Sequence, residues 1–357
     1  LAPGNEGNLG FFFAFQVLPT IIFFASLMSV FYYLGIMQKI VQGMAWVMAK
    51  VMGTSGAESL SCTANIFVGQ TEAPLMIKPF IKGMTQSELL TIMIGGMATI
   101  AGGVMAAYIQ MLGSAYAAAH GIPLVEAQQM FATQLLGASV MAAPGAMMIG
   151  KILIPETAES ETKGSVKVSI EKNSSNVIEA AANGASDGLQ LALNVGAMLL
   201  AFIALIALIN FLLSGFGDII GLNSYLIANF GQPLSFQLMI GLVLQFVAYG
   251  IGVPWHDALT FGSLLGTKVV LNEFVAYSDM GNLVQTGKLV NEKSILMATY
   301  ALCGFANFSS IAIQIGGLGP LAPNRKSDIA ALGIKAVIGG VLTTLLTATL
   351  AGLFFAF

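Results

Sequence analysis

Two glutamates, Glu72 and Glu273, stand in short polar interruptions of a chain that is otherwise strongly apolar. An ionisable group within a membrane segment is costly unless it is hydrogen-bonded, protonated or paired, so each glutamate indicates a functional site. No basic residue adjoins either one; Lys78 and Lys268 are conceivable partners, but each is expected towards the outer end of its segment. Two such carboxylates would repel phosphate. They favour a neutral or cationic ligand rich in hydroxyl or N–H donors, because charge-assisted hydrogen bonds are about twice as strong as neutral ones.

The composition predicts an integral membrane protein, which we expect to be all-α, polytopic and located in the cell (inner or plasma) membrane. Hydrophobic residues make up 56% of the chain and charged residues 9%, whereas soluble domains carry about 25% charged residues. The net charge is −3 and Arg325 is the single arginine. This excludes a nucleic-acid partner, since phosphate neutralisation needs clustered Lys and Arg. Cys62 and Cys303 lie in apolar segments without metal-site spacing, and we expect them to be buried thiols.

Two re-entrant hairpins are predicted to carry the glutamates to the middle of the bilayer. The first, about Thr54–Gly83, has two apolar arms near the length of about 10–14 residues that is typical of re-entrant segments. Its tip would present Gln70, Thr71 and Glu72. The second hairpin begins at Pro254 and has Glu273 at its break. Non-helical backbone at this depth persists only where protein covers it or water lines it, which also indicates a site.

One order of elements occurs twice, in residues 37–153 and 235–357. It consists of an interfacial helix, a hairpin with a glutamate, a helix interrupted by polar or glycine residues, and a further span. In Leu89–Leu112 the interruption includes Thr99 and two Gly-Gly pairs. Such glycines either let helices pack closely or mark a broken helix whose freed carbonyls coordinate an ion. Interrupted segments in corresponding halves indicate the binding site of a secondary transporter.

The remaining segments are predicted to be further spans and one long connection. Phe11–Gly35 and Leu189–Leu213 are long enough to span the membrane. Pro155–Asp187 is predicted to be a solvated connection, with a small strand at Val166–Ile170. Ile122–Gln134 is predicted to be a short amphipathic stretch before a span at Leu135–Leu153. Because the chain begins with Leu, we expect upstream helices to be missing.

Three separated motifs make the chain resemble the concentrative nucleoside transporters. They are Gly-Gln-Thr-Glu-Ala-Pro at 69–74, Leu-Asn-Glu-Phe-Val-Ala-Tyr at 271–277, and Cys-Gly-Phe-Ala-Asn-Phe-Ser-Ser-Ile at 303–311. The resemblance runs from about Phe11 to the C-terminus. It implies a homotrimeric importer of nucleosides such as uridine, coupled to a cation and not an enzyme. It also implies two inverted repeats that form a moving transport domain, which works by an elevator mechanism against a fixed scaffold.

The resemblance also implies roles for individual residues. The residues that would face the base are Gln70, Thr71, Glu72, Val104 and Phe305. Those that would hold the ribose are Glu273, Asn307 and Ser310. The positions that match the family's sodium site are Asn65, Val68, Thr99 and Ile100. Residues 37–153 and 235–357 would be the transport-domain repeats, with a scaffold helix in 1–36 and a polar linker and scaffold helix in 154–234.

Other interpretations stay open at this point. Proton coupling through Glu72 is the rival to sodium coupling. Asn307, Ser309 and Ser310 could instead join helices by hydrogen bonds worth ~0.6–2 kcal/mol. A passive channel is another possibility. Gly215–Asp218 matches the Gly-x-Gly-Asp of intramembrane aspartyl proteases, whose chemistry needs two carboxylates that share a proton; the second aspartate within a spanning helix is missing, and Asp218 is expected past the end of its helix.

Overall fold

A computed structural model describes residues 13–163 and 174–355, and all the regular structure in those ranges is helical. The α-helices are α1 Phe13–Tyr33, α2 Ile36–Met52, α3 Gly56–Ala64, α4 Gln86–Ala98, α5 Gly102–His120, α6 Leu124–Leu153, α7 Val177–Ile219, α8 Leu222–Phe230, α9 Phe236–Gly250, α10 Trp255–Val270, α11 Glu273–Gln285, α12 Glu292–Leu302, α13 Phe308–Leu318 and α14 Lys326–Phe354. Short 3₁₀ helices cover Ala73–Ile77, Ile81–Gly83 and Pro323–Arg325.

The helices include several that can cross a bilayer. In the described residues, four stretches are long and apolar enough: Gln86–His120, Leu124–Leu153, Val177–Ile219 and Pro323–Phe354. Two further helix pairs, α1 with α2 and α9 with α10, pass the same test but bend by 77° and 119°. Each bent pair is either one broken span or a re-entrant element. The structure therefore confirms the prediction of an all-helical polytopic membrane protein.

Two predicted boundaries were wrong. Helix α6 begins after Pro123 and is continuous over 30 residues, so the amphipathic stretch is part of the same helix as the predicted span. Gln128 within it donates to Gln110 of α5 at 2.5 Å, which gives this polar side chain a partner inside the protein. Helix α7 begins at Val177, well before the predicted span, because Asn176 caps it by accepting a hydrogen bond from the Glu179 N–H at 2.9 Å. The predicted strand at 166–170 lies outside the described residues.

The two predicted hairpins differ in their second arms. In the first hairpin, α3 starts at a capping box between Ser55 and Glu58, and the returning arm is 3₁₀ helix, with Pro74 in its first turn. Proline suits such a start because its fixed φ is preorganised and its missing N–H would have no partner there. In the second hairpin both arms are α-helical, α10 and α11, joined at Leu271 and Asn272.

A cluster of polar residues at the end of α6 and just after it holds the starts of α3 and α4; we call this cluster, Lys151, Glu156 and Thr162, the clasp. Lys151 Nζ lies 2.8 Å from the buried carboxylate of Glu58 and 3.2 Å from Glu156, and the Thr162 carbonyl accepts the Gly56 N–H at 2.8 Å. Partial burial raises the pKa of Glu156, but hydrogen bonds from Thr85 and Lys151 outweigh it, so the pKa lies below its usual value. The stability that the Glu156 carboxylate contributes to the folded protein is thus present at neutral pH, and it is lost as the pH falls through that lowered pKa.

Two helix breaks meet in the interior. Helices α4 and α5 are separated at 99–101, and α12 and α13 at 303–307. Gly304 has φ +125°, and a β-carbon there would lie 2.7 Å from the carbonyl carbon of Ala98 and 2.7 Å from the Met97 oxygen. The Gly102 N–H also donates to the Phe67 carbonyl at 3.1 Å, which joins the first break to the loop of the first hairpin. Of the two interpretations of the interrupted helix, the structure therefore favours a true break.

Candidate functional site

Asparagines start the two helices that present the polar residues of the second half. Asn272 caps α11 by accepting the Val275 N–H at 2.9 Å, and Asn307 caps α13 by accepting the Ser310 N–H at 3.0 Å. Asparagine is among the preferred N-cap residues because its side-chain oxygen satisfies an orphan backbone donor. Glu273 is the first residue of α11, where the positive end of the helix dipole favours a carboxylate.

Glu273 is almost fully buried, with 3% of its surface exposed, and each of its oxygens has a partner. Tyr108 donates its hydroxyl to Oε1 at 3.1 Å, and the Asn307 amide donates to Oε2 at 3.0 Å. A buried carboxylate persists only when it is hydrogen-bonded or neutralised. The two donors therefore fix the orientation of this carboxylate, which still has lone pairs for further donors.

Hydrogen bonds continue from Asn307 to the first hairpin. The Gln70 amide donates to the Ser310 hydroxyl at 3.3 Å. Gln314 in turn donates to the Gln70 oxygen at 3.1 Å and to the Met93 carbonyl at 2.9 Å. We call the connected set Gln70, Ser310, Asn307 and Glu273 the polar chain. It joins the tip of the first hairpin, the second helix break and the start of the second hairpin's returning arm.

The remaining residues that the family pattern assigns to the substrate lie in different environments. Val104 is buried and Phe305 partly buried, and both belong to the same hydrophobic cluster. Thr71 is partly buried against α13, since a β-carbon at Gly317 would lie 2.6 Å from its methyl group. Glu72, which is predicted to lie at membrane depth, has an exposed side chain. It directly precedes the 3₁₀ helix Ala73–Ile77, and the described residues give its side chain no hydrogen bond.

The four residues that match a sodium site lie where the first hairpin meets the first helix break. Asn65 is fully buried; its amide donates to the Ser61 carbonyl at 3.0 Å, but its Oδ1 has no partner among the described residues, and neither has the buried Ser61 hydroxyl. The Thr99 hydroxyl donates to the Gly95 carbonyl at 2.8 Å, and the Ile100 N–H donates to the Ser139 hydroxyl at 3.4 Å. Val68 lies in the loop that follows.

Unpartnered buried oxygens require an explanation, since each costs about 1–3 kcal/mol. Oxygen ligands from amide, hydroxyl and backbone groups suit a hard cation. In the described residues there is no cluster of three or more His, Cys, Asp or Glu that could hold a metal. The oxygen atoms at this position therefore fit a hard cation.

Several residues of the site were not identified from the sequence. Gln314 could have been noticed as an amide within the apolar helix α13. Tyr108 could not, because a tyrosine within an apolar span is usually a packing residue. Lys268 was expected towards the outer end of its arm, but it is fully buried. Its position follows from the length of α10, which continues to Val270 and carries the lysine into the interior.

The Gly-x-Gly-Asp motif has a structural explanation. Helix α7 continues to Ile219, so Asp218 lies in its last turn and not past its end. Asn223 donates to the Asp218 carboxylate at 2.6 Å and to the Ser214 carbonyl at 2.8 Å. These contacts fix the turn between α7 and α8, which is a common use of a short polar side chain at a helix end.

Comparisons with known proteins place both halves of the chain among transporters. Residues 134–352 match the family model described as the C-terminus of Na⁺-dependent nucleoside transporters. Residues 14–115 match a model described as nucleoside recognition, named Gate. Together these matches include the first hairpin, both helix breaks and the second hairpin.

Similar proteins include bacterial and human transporters. The chain is 46% identical to the nucleoside permease NupC of Helicobacter pylori over 99% of this chain and 78% of that protein. It is 40% identical to the human sodium/nucleoside cotransporter 1 over 96% of this chain, but it spans only 51% of that longer protein. A solved structure, CNTnw in an inward-facing substrate-bound state, superposes with a TM-score of 0.83 at 45% identity, covering 97% of this chain and 76% of that one.

Proposed function

Because this chain belongs to the concentrative nucleoside transporter family, whose domains are described as sodium-dependent, we propose that it imports nucleosides together with sodium. The observation that supports this most directly is the polar chain, because it joins the two hairpins through the second helix break. A ligand held there would contact elements from both halves of the protein. Such a site, between corresponding halves and near broken helices, is typical of secondary transporters.

The ribose would be held by Glu273, Asn307 and Ser310. Vicinal hydroxyls are donors, and the Glu273 carboxylate is a preorganised acceptor because Tyr108 and Asn307 already fix it. The base would lie towards the first hairpin. The residues proposed to face it are Gln70, Thr71, Glu72, Val104 and Phe305. An amide such as Gln70 has both a donor and an acceptor and can pair with the edge of a nucleobase.

Sodium, carried as the second substrate, would be bound by Asn65, Val68, Thr99 and Ile100. The unpartnered Oδ1 of Asn65 supports this assignment. A cation there would tie the loop of the first hairpin to the first helix break, close to the Phe67–Gly102 contact. Gln70 follows in the same loop. Nucleoside binding would therefore require sodium, because the ion stabilises the arrangement of the loop that presents Gln70.

The movement would involve residues 37–153 and 235–357 as two inverted repeats of one transport domain. The order α2, α3, α4–α5, α6 is paralleled by α9, α10–α11, α12–α13, α14. Residues 1–36 and 154–234 would contribute the scaffold, and the proteins would associate as trimers. The transport domain would cross the membrane as an elevator, which carries the polar chain from one side to the other.

Uridine uptake into proteoliposomes tests the proposal. With an inward sodium gradient, we expect uridine to accumulate above its external concentration, and replacement of sodium by choline should abolish the accumulation. Uptake at an undiminished rate in sodium-free buffer under an imposed pH gradient would instead establish proton coupling. Equilibration without accumulation would indicate a passive channel.

Replacement Glu273→Gln is expected to weaken nucleoside binding by ~1–3 kcal/mol, because a hydrogen bond from ribose to a charged acceptor becomes a neutral one. Titration calorimetry with uridine in detergent at fixed sodium measures the change. Glu292→Gln is the matched control, since Glu292 accepts a hydrogen bond from Tyr116 away from the polar chain and should leave the affinity unchanged. Equal affinities for wild type and Glu273→Gln would remove Glu273 from the site.

A further inference from the structure

Lys268 is a fully buried cation that the proposed transport cycle does not use. Its exposed fraction is 0%. Its Nζ donates to the Ala301 carbonyl at 2.8 Å and to the Thr344 hydroxyl at 3.1 Å. Among the described residues, no carboxylate forms an ion pair with it. A buried charge costs free energy unless it is well coordinated, so the ammonium group requires an explanation.

The positions of the two groups that accept hydrogen bonds from Lys268 explain the buried ammonium group. Ala301 is the second-last residue of α12, which ends at Leu302, directly before the second helix break. The last carbonyls of a helix have no intrahelical donors, and the C-terminal end of a helix carries partial negative charge. The ammonium of Lys268, on the first arm of the second hairpin, therefore satisfies an orphan carbonyl at this break and joins the break to α14 through Thr344.

The first helix break is surrounded by elements that correspond to those at the second break, but the groups that could satisfy its buried oxygens are different. It also lies between the end of a hairpin's first arm, at Asn65, and the end of a helix, at Ala98. A hydroxyl from the following span, Ser139 of α6, meets it at Ile100, as Thr344 of α14 does near Ala301. At the first break, however, the buried oxygens of Asn65 and Ser61 lack partners among the described residues. At the second, a protein ammonium group supplies the positive charge.

We propose that Lys268 is a tethered cation that does permanently at the second break what sodium does reversibly at the first. It is a positioning residue: it holds the end of α12, so that Asn307, at the far end of the break, stays beside Glu273. One of the two breaks then depends on an external ion, and the other does not. This inference rests on the proposed function, in which the first break binds sodium.

Two substitutions separate this role from simple packing. Lys268→Ala removes the ammonium and leaves room beside the Ala301 carbonyl and the Thr344 hydroxyl, whereas Lys268→Met removes the charge but fills most of the space. We expect both to weaken uridine binding at low sodium by at least about tenfold. In Lys268→Ala, high sodium should restore binding, and the Hill coefficient for sodium should rise from about one to about two, because a second ion occupies the vacated position. Lys268→Met should stay weak at every sodium concentration.

The measurement is uridine binding to purified full-length protein, with sodium varied against choline at constant ionic strength. The inference is overturned if the two variants lose the same affinity for uridine and both keep the wild-type Hill coefficient for sodium. It is also overturned if both variants retain the wild-type affinity. If the wild type bound uridine independently of sodium, the proposed coupling would be contradicted instead. In that case, a loss of affinity in Lys268→Met would still support the positioning role of Lys268.

A milder pair of variants serves if the lysine variants do not fold. Thr344→Val removes one acceptor of the ammonium, and we expect a several-fold loss of uridine affinity without a change in sodium steepness. Thr343→Val is the control, since Thr343 is equally buried but its hydroxyl donates only to the Gly339 carbonyl of its own helix. The same affinity in the two threonine variants would contradict the role of Lys268.

Discussion

Replacement Gly304→Ala is expected to abolish uridine binding and to destabilise the protein by about 2–6 kcal/mol, since backbone strain and overpacking add at this position. Its φ of +125° is strained for any L-residue, and a β-carbon would lie 2.7 Å from backbone atoms of both Met97 and Ala98. Backbone cannot move aside as a flexible side chain can. The two helix breaks would therefore move apart, and this movement would disrupt both the polar chain and the proposed sodium site.

Thermal unfolding in detergent and uridine titration measure these two effects of Gly304→Ala. Gly287→Ala is the matched control, because Gly287 also has positive φ, +66°, but nothing lies within 4 Å of the position that an added β-carbon would take. Gly287→Ala should be destabilised only by the cost of placing an L-residue at positive φ, about 1–2 kcal/mol, and should keep its affinity for uridine. A similar loss in both variants would show that contact between the breaks contributes nothing.

Replacement Lys151→Met is expected to destabilise the protein by about 2–4 kcal/mol, because Glu58 would remain buried without its ion-pair partner. The Glu58 side chain is 2% exposed and that of Lys151 25%, so the carboxylate cannot be solvated without movement of α3. The melting temperature in detergent should fall accordingly. The loss should also exceed that of Glu58→Gln, which removes the buried charge together with the pair.

Lys163→Met is the control for the clasp. Lys163 is exposed, lies on the connection that follows α6 and forms no ion pair in the described part of the chain, so its replacement should leave the melting temperature unchanged. If Lys151→Met were as stable as Lys163→Met, Glu58 would have to be neutral or solvated, and the clasp would not hold the first hairpin.

Much of the fold could be predicted because hydrophobic length and polar interruptions are local signals. The glycines and Thr99 allowed a break as one of two interpretations, and α4 does end at Ala98. The boundaries that were wrong depend on contacts between distant residues. Gln128 lies within one long helix and donates to Gln110 of α5, and nothing in the local sequence of Gln128 identifies that partner.

The candidate site was predicted in part for the same reason. Gln70, Glu273, Asn307 and Ser310 are polar residues within apolar surroundings, and the structure brings them together. Their sequence positions could not show that Glu72 would be exposed, because its exposure depends on the turn into the 3₁₀ helix. Nor could they show the partners Tyr108 and Gln314, which lie far away along the chain.

At the proposed site, the polar chain would also limit how tightly a nucleoside can bind. Its groups are already bonded to one another: Gln70 to Ser310 and Gln314, and Glu273 to Tyr108 and Asn307. A nucleoside that displaced any of these internal bonds would gain only the difference between the new bond and the old one. Such a site would select against a molecule that lacks a hydroxyl or ring N–H at the matching position, because that molecule would break an internal bond without supplying another. Modest affinity of this kind would favour release on the far side of the membrane.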